Sequence, residues 1–126
     1  MDITDDQLVY RGDTADQVLS AKRTKCFTIE DPADADDNIP LWIEHPAITV
    51  TSMRCIVEGG TSVTGFLSDG TNALDTMVCA TTAVDDDGSI ANATFTAGER
   101  FEWDQSSNVA TPSWLNFCWT YTIDAT

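Results

Sequence analysis

The chain is 126 residues long, 42% hydrophobic and 21% charged, a size and balance that support one packed core and exclude the disordered and collagen-like classes. Twenty-one acidic residues against six basic ones leave a formal net charge of −15. That field repels phosphate backbones and anionic lipid, so neither nucleic acid nor a membrane is an expected partner.

Residues 1–24 read as an N-terminal arm. Apolar side chains are confined to Leu8, Val9, Tyr10, Val18 and Leu19, too few for a core, with Arg11, Lys22 and Arg23 as the cationic groups beside them. Thr14 followed by Gln17 fits a capping box, which predicts a short helix over 15–22. The acidic start does not resemble a secretory leader, and no run is long enough to span a bilayer, so the expectation is synthesis and use without export.

From residue 25 the pattern has a period of two. Phe27 and Ile29 alternate with Thr28 and Glu30, and the run stops at Asp31-Pro32 because proline removes a ladder donor. Residues 31–40 carry the Asp, Asn and Pro of a loop, and a strand is expected to resume at Leu41. Ile48 and Val50 keep one phase and Met53, Cys55 and Val57 the other, so a strand over 47–58 needs a bulge near Thr51-Ser52.

Gly59-Gly60 turns the chain into a strand over 63–67, and Ser68-Asp69-Gly70 ends it. Short strands follow over 77–81, 90–95 and 100–103, with a turn over 85–89. The clearest strand is 115–123, where Leu115, Phe117, Trp119, Tyr121 and Ile123 put five large apolar side chains on one face. About eight strands without an intervening helix predict an all-β domain over 25–126: a two-sheet antiparallel sandwich, jelly-roll-like, with an extended N-terminal arm; an immunoglobulin-like sandwich of seven strands stays open, because period alone does not give strand order.

Four cysteines, Cys26, Cys55, Cys79 and Cys118, lie far apart without metal-site spacing and read as buried, reduced thiols; two disulfides in any of three pairings are the alternative for a protein working outside a cell. The sole histidine, His45, has no nucleophile motif directed at it. Glu99, Glu102 and Asp104 form a carboxylate group near aromatic residues, read as solvated strand ends, with glycoside hydrolysis as the functional alternative. The aspartates over 31–37 and 85–87 offer oxygen ligands but lack the EF-hand spacing, so turn chemistry is preferred to calcium. No catalytic residue, metal or cofactor is assigned. Trp103 and Trp119 belong to the core by phase, which leaves Trp42 and Trp114 as candidate contact aromatics.

The segments Phe27-Thr28-Ile29-Glu30-Asp31-Pro32, Asp36-Asp37-Asn38-Ile39-Pro40-Leu41-Trp42, Ala47-Ile48-Thr49-Val50-Thr51 and Gly59-Gly60-Thr61-Ser62-Val63-Thr64 resemble small virion proteins of tailed phages. The resemblance covers roughly residues 25–124 and implies a capsid decoration (cement) protein or a head or tail appendage, with jelly-roll sandwiches that are commonly homotrimers. It implies the major capsid protein and further copies of the chain as partners. The expected location is the capsid surface of a virion assembled in the host cytoplasm. In that reading Leu8, Val9, Tyr10, Arg11, Val18, Leu19, Lys22 and Arg23 grip the shell or a neighbour; fully extended, two dozen residues reach about 70–80 Å. The alternative is a host-adhesion or carbohydrate-binding module built on Trp42 or Trp114.

Overall fold

The computed structural model describes residues 21–34 and 36–125. Among them are nine strands and no helix: β1 (Arg23–Glu30), β2 (Ile39–Pro40), β3 (Ile48–Glu58), β4 (Ser62–Ser68), β5 (Met77–Ala80), β6 (Val84–Asp86), β7 (Thr94–Phe95), β8 (Glu102–Val109) and β9 (Trp114–Ile123). The helix expected over 15–22 falls mostly outside the described residues.

The strands form two antiparallel sheets. The first has the order β1-β9-β3-β6, with the short β7 pairing with β3; the second has the order β2-β8-β4-β5. Setting β7 aside, the pairs β1/β9, β2/β8, β3/β6 and β4/β5 are nested, and pairs alternate between the sheets along the chain. That nesting is jelly-roll winding.

The strand over 115–123 is central, as its five apolar side chains require, because both of its edges are paired. The expected bulge is present: the register between β3 and β9 shifts between Val50 and Ser52, which rotates the inward set from Ile48 and Val50 to Met53, Cys55 and Val57. Phe101, Trp103, Leu115 and Phe117 are fully buried between the sheets. Phe27 from β1 closes this layer, with its ring centroid 5.6 Å from Trp103 and 5.5 Å from Phe117.

Several expected boundaries move. The ladder before Trp42 is Ile39–Pro40, earlier than the strand expected at Leu41. Leu41 N still donates to Phe101 O at 2.8 Å. Asp85 and Asp86 lie in β6, paired with Arg54 and Met53, so the turn begins later than 85. The strand over 100–103 is instead β8, which continues through polar residues to Val109 because β4 supplies its backbone partners along that whole length.

All four cysteines are paired, which corrects the reading as reduced thiols. Cys55 of β3 joins Cys79 of β5, tying one sheet to the other through the core. Cys26 of β1 joins Cys118 of β9 as directly opposed partners on the outward face of the first sheet. Paired cysteines suit an oxidising surrounding rather than a reducing cytoplasm.

Candidate functional site

Two surface regions carry unusual chemistry. The first is the outward face of the first sheet. Alternation sends Phe117 and Trp119 inward, so Cys118 and Thr120 point out; in β3 Arg54 and Ile56 point out for the same reason. The registers then align Cys26, Cys118, Arg54 and Asp85 in one row across β1, β9, β3 and β6.

Arg54 Nη1 donates to Asp85 Oδ1 and Oδ2 at 3.1 and 3.2 Å. Both side chains are more than half exposed, so this ion pair contributes little to stability. A shallow groove of about 500 Å³ runs beside the row, lined by Thr24, Arg54, Asp85, Asp87, Cys118 and Thr120.

The second region is a carboxylate cluster on the outward side of the second sheet. Glu102 is 1% and Asp104 8% exposed, although both point away from the Phe101 and Trp103 face. Glu102 accepts a hydrogen bond from Arg100 Nε, and Arg100 Nη2 donates to Asn38 O at 2.8 Å. Asn38 N in turn donates to Asp104 Oδ1 at 2.8 Å, so the loop before β2 is docked on the pair. These groups are buried, which corrects the expectation of solvated strand ends.

Burial pushes the Asp104 carboxyl up to about 7, helped by hydrogen bonding to Glu102 and Asp37 and by the negative charge of Glu102, while the Asn38 amide pulls the other way.

The native state therefore holds a proton on Asp104 that the unfolded chain, near its ordinary value of 3.8, has lost. The sign follows: this contribution is fully present below about pH 4 and is lost as pH rises through about 7. Asp104→Asn cannot lose the proton. Its unfolding free energy relative to the wild type should rise between pH 5 and 7, by up to about 1.4 kcal/mol per pH unit, as read from urea midpoints at each pH.

The aspartate-rich loops are occupied with turn chemistry. Asp36 Oδ2 accepts from Ala33 N at 2.8 Å, Asp34 Oδ1 from Asn108 Nδ2 at 3.0 Å, and Asp86 Oδ1 from Gly88 N at 3.3 Å. Among the described residues, no three His, Cys, Asp or Glu side chains are grouped so as to hold a metal ion.

Of the arm residues, Leu8, Val9, Tyr10, Arg11, Val18 and Leu19 lie outside the described residues. Lys22 is exposed just before β1, and Arg23 opens β1 opposite Tyr121.

Trp114 is 44% exposed on the outward face of β9, between Glu30 and Glu58. Trp42 instead packs partly buried, with ring centroids 5.3 Å from Tyr121 and 5.1 Å from His45, and Lys25 Nζ stands 4.8 Å from the center of its ring. His45 is itself buried, with Nδ1 2.8 Å from Pro46 O and Nε2 2.6 Å from Glu99 O; both ring nitrogens are taken by backbone carbonyls. It ties the loop after β2 to the approach to β8.

The outward cysteine row was within reach of the sequence. Cys26 is out of phase with Phe27 and Ile29, and Cys118 with Phe117 and Trp119, so alternation alone puts both on a solvent face.

No family model matches the chain, and a comparison with curated proteins found no match. Among solved structures, one described by the words "Bacillus endospore appendages form a novel family of disulfide-linked pili" is 18% identical; the alignment covers 82% of this chain and 88% of that one, at a TM-score of 0.44. A likeness at that level is one of general chain path, and no functional argument rests on it.

Proposed function

We propose that the chain is a non-catalytic structural subunit of an extracellular or particle-surface assembly, held to its neighbours by the residues that precede β1. The observation that carries this reading is the Cys26–Cys118 bond. Residues 1–20 enter the fold through β1, an edge strand paired with β9. A pull on that segment would peel an edge strand one ladder bond at a time. The disulfide passes the load covalently into β9, the central strand, and Cys55–Cys79 passes it on to the second sheet. A domain stapled in this way suits mechanical service in an oxidising exterior.

The specific form we favour is decoration of a phage capsid exterior as a homotrimer, with the segment before β1 on the major capsid protein or on an adjacent copy. Its disulfides then close once the particle has left the reducing host interior. Light scattering on the eluting full chain should give about three times 13.7 kDa. Removing residues 1–20 should abolish co-sedimentation with empty capsids while leaving the thermal transition in place. A full chain that stays monomeric and does not sediment with capsids would sink the proposal.

A further inference from the structure

The two disulfides occupy opposite settings. Cys55 and Cys79 are 2% and 0% exposed between the sheets, beyond reach of a solute unless the domain opens. Cys26 is exposed on an edge strand, and Cys118 is half-buried at the wall of the groove. Directly across from Cys118 on the next strand is Arg54, and cross-strand neighbours on one face have Cβ atoms about 4.5–5.5 Å apart.

We propose that Cys26–Cys118 is a thiol-exchange site, in which an external thiolate attacks Cys26 Sγ and Cys118 departs as the thiolate. One S–S bond forms and one breaks, with no net oxidation: RS⁻ becomes RS–Cys26, and the electron pair of the old bond stays on Cys118 Sγ. Exposure selects Cys26 as the sulfur attacked. With Cys26 Sγ attacked, Cys118 is the leaving group, and it departs at the wall of the groove. Arg54 Nη1 is bound to Asp85 of β6, on the far side of β3 from Cys118, and the groove brings water to the sulfur that is released.

Opening does not free the sheets from each other, since Cys55–Cys79 still joins them. What it frees is β1, the strand through which residues 1–20 join the sandwich. The released Cys118 thiolate lies beside the new mixed disulfide and can attack it, expelling RS⁻ and restoring the bond. The site is thus a reversible covalent handle for a thiol from outside. The inference does not depend on assembly, and it stands if the chain is a monomer.

The test uses the full oxidised chain with reduced glutathione at pH 8, quenched at short times with excess N-ethylmaleimide and mapped by peptide mass, with tryptophan fluorescence recording that the fold persists. Glutathione should appear on Cys26 and maleimide on Cys118, at least tenfold faster than any label on Cys55 or Cys79. A small amount of reduced chain in place of glutathione identifies the thiol source: a covalent dimer through Cys26 points to another copy, and adducts formed only with glutathione point to a small thiol. Opening of both disulfides at one rate, first opening at Cys55–Cys79, or glutathione found on Cys118 would overturn the proposal.

Discussion

Replacing Cys26 and Cys118 together with serine lowers the unfolding free energy by about 4 to 5 kcal/mol in non-reducing buffer, the size of the chain entropy that a cross-link of this span removes. The two cysteines are separated by 92 positions, so the bond holds nearly the whole described chain in one loop in the unfolded state. Serine at both positions leaves no cavity, because both side chains face outward, and the native ladder of eight pairs between β1 and β9 has no need of the sulfurs. The loss therefore comes from the unfolded chain, which becomes freer and more extended. Urea unfolding should show this twice, as a lower midpoint and as a larger m-value from the extra surface exposed. A lower midpoint with an unchanged m-value would place the effect in the native state instead, in a distorted β1.

Fold class and the central strand were legible because they rest on local alternation. Leu115 through Ile123 declares one buried face, and the phase change between Val50 and Met53 declares the bulge, without reference to any other strand. Pairing is not local. Nothing near Cys26 points to Cys118, and the two meet only because the jelly roll lays β1 beside β9.

The same limit hid most of β8, whose run after Trp103 is Asp-Gln-Ser-Ser-Asn. Those residues have little tendency to declare a strand, and they are held in one by the backbone of β4. Trp42 shows a related limit. Its neighbours Leu41 and Ile43 imitate strand alternation, but the ladder ends at Pro40 and the loop folds the indole back against Tyr121. The carboxylate cluster was visible as composition only, since the burial of Glu102 and Asp104 depends on the Asn38 loop, brought from elsewhere in the chain and held there by Arg100.

Gly65→Ala should unfold the domain about 10 °C or more below the wild type, a cost of at least about 3 kcal/mol and at or beyond the upper end of ordinary overpacking. Gly65 lies mid-strand in β4, where alanine normally gains slightly by restricting the unfolded chain. Here a Cβ would stand 2.5 Å from Trp103 Cζ2, 2.7 Å from its Cη2 and 2.6 Å from Asp104 O.

The carbonyl belongs to the neighbouring strand of the ladder and cannot withdraw without breaking register. Nor can the indole retreat, because it is fully buried, with Phe27 and Phe117 ring centroids 5.6 and 5.1 Å away. The clash thus has two parts, and a double-mutant cycle separates them. Trp103→Phe removes the two ring atoms that meet the new methyl, so Gly65→Ala should cost less in that background, by 1 kcal/mol or more at the scale of coupling between touching residues. The contact with Asp104 O should persist as the remainder. Equal costs in the two backgrounds would assign the whole penalty to the backbone and show that the indole is free to move.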